Sequence, residues 1–123
     1  MSFFSEKIDD IVIEVVDIDR ATFREAEEFK KLLNQDIESG LSKIIIDLSN
    51  CKFIDSTFLS TIVSALKRVN KNGGTLKLAG VHDETEALLE LTGTVKVFEI
   101  YPSKDEALKS FSVHSVLKSS KAS

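Results

Sequence analysis

The chain has 123 residues, 42% of them hydrophobic and 29% charged, a soluble composition sized for one domain whose core needs no metal or disulfide staple. Sixteen basic against twenty acidic residues leave a net charge of -4, which opposes general binding to nucleic acid or anionic lipid. One cysteine and two histidines fall short of the roughly four ligands of a structural zinc site; with no apolar run near the roughly 18 residues of a membrane span and no signal peptide at residues 1–6, a cytoplasmic protein without membrane insertion is expected.

Phe3, Phe4 and Ile8, the acidic pair Asp9-Asp10, and the alternating Ile11-Val12-Ile13-Glu14-Val15-Val16 predict two short strands joined as a hairpin. From Thr22 the period lengthens. Phe23, Ala26, Phe29, Leu33 and Ile37 recur every three or four residues, the mark of an amphipathic helix. Thr22 and Glu25 are spaced as a capping box at its start, and Gly40 is its stop. Lys43-Ile44-Ile45-Ile46-Asp47-Leu48 is too short for a helix and reads as a strand covered on both faces. A second helix follows through Leu59, Ile62, Val63, Leu66 and Val69, closed by Gly73-Gly74. Thr75-Leu76-Lys77-Leu78-Ala79 is a further central strand, and Asp83 to Leu91 a short helix with His82 placed to cap it. Val95, Val97, Phe98, Ile100 and Tyr101 predict a last short strand, and Ser103 and Glu106 are spaced as a capping box for a last helix. The order β-β-α-β-α-β-α-β-α predicts an α/β domain with a small mixed, mostly parallel sheet flanked by helices over residues 1–111, and a frayed Ser- and Lys-rich tail over 112–123.

Chemistry is sparse along this chain. It lacks a glycine-rich phosphate loop, a dinucleotide fingerprint and the H-E-x-x-H, C-x-x-C and G-x-S-x-G motifs, so neither an enzyme nor a cofactor or metal is expected. Cys51 reads as a small buried hydrophobe.

One segment stands apart, Phe53-Ile54-Asp55-Ser56-Thr57-Phe58-Leu59-Ser60-Thr61, which joins the most apolar strand to the best amphipathic helix. Opposite the apolar stripe lie Thr57, Ser60, Thr61, Ser64 and Arg68, a face with four hydroxyls and no acid, as suits the docking of another protein. Two readings of its start stand side by side. Asp55 or Ser56 is an N-cap that satisfies first-turn amides, or Ser56 is a modification site. A phosphoryl group on Ser56 meets the positive helix end and adds about two negative charges to the face, switching docking off without unfolding the domain.

Asp55-Ser56-Thr57 after Ile44-Ile45-Ile46-Asp47-Leu48-Ser49 resembles the phosphorylation motif of STAS domains, the bacterial anti-sigma factor antagonists. Asp17-Ile18-Asp19-Arg20-Ala21-Thr22 resembles the family's acidic loop, and Asn72-Gly73-Gly74-Thr75-Leu76 its helix-to-strand turn. Leu89-Glu90-Leu91-Thr92-Gly93 and Phe98-Glu99-Ile100-Tyr101-Pro102-Ser103 resemble its last helices and the strand between, so the likeness runs from about residue 8 to 111. The resemblance implies a partner-switching regulator. Unphosphorylated, it binds an anti-sigma factor that is also a serine kinase; the kinase modifies the serine at position 56, with Thr57 as fallback acceptor, and a PP2C-type phosphatase resets it. It also implies a partner surface built from Asp19, Arg20, Thr22, Asp55, Thr57, Phe58, Ser60, Thr61 and Ser64. Phe58 and Ser60 stand where the family motif commonly has glycine, and Val16 where glycine often precedes the acidic loop. Phe58 falls at the edge of the buried stripe: packed inward it leaves the fold undisturbed, and turned outward it is a bulky anchor selecting a different partner. The alternative reading is a constitutive interaction subunit of a lipid-transport or stressosome-like complex, without phosphorylation.

Overall fold

The computed structural model describes residues 2–111; the tail expected at 112–123 lies outside the described residues. Strands β1 (Phe3–Ile8) and β2 (Ile11–Val16) form the predicted antiparallel hairpin, with Ile8 opposite Ile11 and Asp9 in a left-handed conformation at φ 55°. Asp tolerates that region better than most residues with a Cβ, which is why the turn sits on the acidic pair. Strands β4 (Lys43–Asp47), β6 (Thr75–Ala79) and β7 (Glu99–Tyr101) then add in parallel, giving the order β1-β2-β4-β6-β7. A separate pair of two-residue strands, β3 (Arg20–Ala21) and β5 (Phe53–Ile54), runs parallel with Arg20 opposite Phe53.

Alternation along the strands separates two cores. Val12, Val16, Ile44, Ile46, Leu76 and Leu78 face helices α1 (Phe23–Glu38) and α2 (Ser56–Lys71), which bury Phe29, Leu33, Ile62 and Leu66 against them. Ile11, Ile13, Val15, Ile45 and Ala79 face the other way, onto Ala107 and Phe111 of the helix at residues 104–111, here α4. Full burial of each such side chain is worth about 1.5–3 kcal/mol. The β4 triplet Ile44-Ile45-Ile46 is fully buried because it serves both cores.

Polar groups inside this frame are few. Lys77, on the α4 side of β6, donates to Ser110 Oγ at 2.6 Å and lies 3.9 Å from the Phe111 ring centre. Glu14, on the α1 side of β2, is wholly buried. Loss of hydration, then the neighbouring Asp36 carboxyl, pushes its carboxyl up to about 9; the Ser5 hydroxyl, donating to Oε1 at 2.5 Å, pulls the other way.

Three local expectations are corrected. Phe23 opens α1 but is 63% exposed: its backbone amide is held toward α2, and its ring lies in solvent beside the Arg24 guanidinium, 5.6 Å from the ring centre. His82 stands at the N-cap position of α3 (Asp83–Leu91) without capping it, because Nε2 meets the Ser49 carbonyl at 2.8 Å instead. The predicted last strand shortens to β7, since Thr94–Lys96 forms a 3-10 turn after the left-handed Gly93 and leaves Val97 exposed.

Candidate functional site

The start of α2 is built by Asp55. Its backbone is extended, its Oδ1 accepts from the Phe58 amide at 2.9 Å, and its carbonyl accepts from the Leu59 amide at 3.0 Å. This is the N-cap arrangement. The second carboxylate oxygen reaches the neighbouring helix, where Oδ2 accepts from the amide of Phe23, the first residue of α1, at 2.9 Å. One carboxylate therefore holds two helix starts together.

The loop before α1 is fastened to the strand before α2. The Asp19 carbonyl accepts from the Lys52 and Phe53 amides at 2.9 and 3.2 Å, and the Ala21 carbonyl from the Asp55 amide at 3.2 Å. The Arg20 guanidinium lies 4.3 Å from the Phe53 ring centre, a cation–π contact. Thr22 caps α1: Oγ1 accepts from the Arg24 amide at 3.3 Å, while Glu25 accepts from the Thr22 amide at 2.9 Å.

Upon this frame Ser56 is the first residue of α2 and is exposed. The Phe58 amide is already taken by Asp55, so the amides of Ser56 and Thr57 are the first-turn donors left to face outward. Thr57, Ser60, Ser64 and Arg68 are exposed, and Thr61 is half-buried with its hydroxyl donating to the Thr57 carbonyl at 3.4 Å. Asp19 and Arg20 are exposed on the neighbouring loop. The structure thus gathers Asp19, Arg20, Asp55, Ser56, Thr57, Ser60, Thr61 and Ser64 onto one end and one helix face. Thr22 belongs there by position, although its hydroxyl is engaged in the α1 cap.

Phe58 does not belong to that surface. It is fully buried, its ring stacked on Phe29 at 4.9 Å and 20°, and 6.2 Å from Phe3; Phe3 and Phe29 meet at 4.8 Å. Three rings fill the space between β1, α1 and α2, and a side chain so enclosed offers no anchor to a partner. The reading of Phe58 as a partner residue is corrected, and the constitutive subunit that an outward Phe58 favoured loses that support. Two aromatic groups on the rim were missed instead. Phe23 is exposed and Phe53 half-buried under Arg20; the signal available for Phe23 was its place directly after a capping threonine.

Cys51 lies behind the site and is wholly buried. Burial pushes its thiol up, with the Asp19 and Glu25 charges adding to the effect against hydrogen bonding with the Ala21 and Phe53 backbone, which disfavours the reactive thiolate. A cleft of about 360 Å³ opens elsewhere, beside Phe4, Val15, Asp47 and Lys104. Among the described residues no three His, Cys, Asp or Glu side chains converge as a metal site, and no helix is long and apolar enough to cross a membrane.

The model of the STAS domain family matches residues 6–107. A Thermotoga maritima protein provisionally named an anti-sigma factor antagonist is 31% identical over 107 residues, 86% of this chain and 95% of that one. The anti-sigma-B factor antagonist of Staphylococcus aureus is 36% identical over 77 residues, 63% of this chain and 68% of that one. A crystal structure of a Thermotoga maritima protein of the same provisional name superposes with a TM-score of 0.80 at 30% identity, over 88% of this chain and 92% of that one. The Bacillus cell fate determinant SpoIIAA in its phosphorylated form superposes at 0.73 and 14% identity, over 89% of this chain and 98% of that one, a likeness of fold.

Proposed function

This chain belongs to the STAS domain family, and from that membership we propose that it is an anti-sigma factor antagonist whose docking face is switched by phosphorylation of Ser56. The observation that carries the reading is the placement of Ser56: exposed, first in α2, beside an Asp55 whose two oxygens are both committed to backbone amides. Unmodified, the face is a row of small hydroxyls flanked by Asp19, Arg20 and Phe23, which a partner covers without burying an unpaired charge. The partner is an anti-sigma factor acting as a serine kinase. It transfers the γ-phosphoryl of ATP to Ser56 Oγ, the hydroxyl proton departs, and ADP is released.

The phosphoserine brings a charge of about -1.5 to -2 to the face. The Ser56 and Thr57 amides and the positive end of α2 accommodate that charge, so the fold persists. A partner surface fitted to uncharged hydroxyls next to Asp55 is repelled and must desolvate a dianion, so docking fails. Hydrolysis by a PP2C-type phosphatase restores the binding form.

Intact mass of the protein isolated from its own cells under two growth conditions tests this. A species heavier by about 80 Da, mapped to the peptide containing Ser56 and absent from Ser56→Ala, is expected. If Ser56→Ala gains the same mass and Thr57→Ala does not, the acceptor is Thr57; if neither growth condition yields the heavier species, the switch is wrong.

A further inference from the structure

Two carboxylates meet inside the fold, far from the α2 start. Glu14 projects from β2, the second strand of the sheet, toward α1, and Asp36 reaches down from the last turn of that helix, flanking the buried Leu33 and Ile37. Glu14 Oε2 and Asp36 Oδ2 are both buried, and neither has a hydrogen-bond donor. Two buried acceptors without a donor between them are costly. The other Glu14 oxygen is satisfied by the Ser5 hydroxyl at 2.5 Å.

Something positive must lie between them. A metal ion of the hard, oxygen-liking kind needs about six oxygen ligands, and the surroundings do not supply them. On β4 the residue paired with Glu14 is Ile46, and the same face carries Ile44; on β1 it is Ser5, with Lys7 two residues on and exposed; on α1 the flanking residues are Leu32 and Leu33. A single proton suffices. Placed on one carboxylate it donates to the other, and both unpartnered oxygens are satisfied at once.

We propose that Glu14 and Asp36 share one proton at neutral pH, and that this O–H···O bond is a pH-operated latch between β2 and α1, closed while the proton is held and released when alkaline conditions remove it. Loss of the proton leaves two negative carboxylates facing each other in an apolar interior, and their repulsion pushes α1 off the sheet edge. The burial that raises the Glu14 carboxyl acts in the same sense. The charged groups around the pair are Asp36 itself, the exposed Lys7 of β1, and Glu28 and Lys31 on the outer turns of α1, which rim a cavity of about 290 Å³ floored by Phe3, Ser5 and Leu32.

The test is carbon-13 NMR of glutamate-labelled protein, with the Glu14 side-chain carboxyl assigned from its loss in Glu14→Gln and, independently, from its displacement in Asp36→Asn. The signal is expected to hold the position of a neutral acid through pH 7 and to move only in the alkaline range. In Asp36→Asn, whose amide donates to an ionised Glu14, its midpoint should fall by at least one pH unit. A Glu14 signal that titrates with the ordinary glutamates, near pH 4–5, overturns the shared proton. Hydrogen exchange tests the latch itself. The α1 amides of wild type should exchange as in Glu14→Gln at pH 6 and severalfold faster than in that variant at pH 9; equal rates at both values overturn it.

Discussion

Asp55 ties the Phe23 amide to the Phe58 amide, so a change at this one residue reaches two helices. Asp55→Ala should cost about 1–3 kcal/mol, as expected for two lost caps, and Asp55→Asn less, since its amide group keeps one acceptor; urea unfolding measures both. Phe58 is the other residue with disproportionate weight. Phe58→Ala opens a void among Phe3, Phe29 and α2 and should destabilise by about 3–5 kcal/mol, whereas the exposed Ser60→Ala should stay within about 0.5 kcal/mol. The pair matters because both residues stand where a glycine is common in the motif this segment resembles, and only one of them has become core. At this scale the Asp-Ser helix start is readable from the sequence. The second bond of Asp55 is not, since its donor lies 32 residues earlier and no local pattern points to it. Nor does a helical wheel decide Phe58, which sits at the stripe's edge until Phe29 and Phe3 arrive from other elements.

Among the elements, the long periodic ones were legible: the hairpin, α1, β4, α2 and β6 follow from alternation or from three- and four-residue steps. Strands β3 and β5 were not, because two residues carry no period and each exists only through the other's hydrogen bonds. The stretch from Val95 to Tyr101 misled for a different reason: its apolar residues serve a 3-10 turn as well as a strand, and the left-handed Gly93 sets the break. Glu14 was visible as a polar interruption in β2, but its burial follows from α1 lying over it. That burial makes the β2–α1 layer sensitive to pH, with a definite sign. The native state holds a proton that the unfolded chain releases once pH exceeds the ordinary glutamate value of 4.5, and keeps it up to about 9. Stability therefore falls as pH rises through that window, by up to about 1.4 kcal/mol per unit. Denaturant unfolding at pH 6, 7 and 8 should show this decline in wild type and a flatter profile in Glu14→Gln.

For the molecule as a whole, the sheet sets the candidate docking surface and the α4 closure on opposite faces. One face carries α1 and α2 with the candidate docking surface at their shared start; the other is closed by α4 through Ala107, Phe111 and the buried ammonium of Lys77. Phe111→Ala should destabilise the domain by about 2–4 kcal/mol, yet below its melting temperature Ser56 phosphorylation should be unchanged, because Phe111 packs in the core on the opposite face of the sheet from α2. A parallel loss of phosphorylation and stability at low temperature would show the two faces to be coupled. The clamp at Asp55 has a practical consequence for detecting this protein. Its surface is a conformational epitope, assembled from residues 19–24 and 53–64, so a synthetic peptide around Ser56 presents the hydroxyl without Phe23, Arg20 or a fixed helix start. An antibody raised to such a peptide would report denatured chains on a blot and overlook the folded protein in solution.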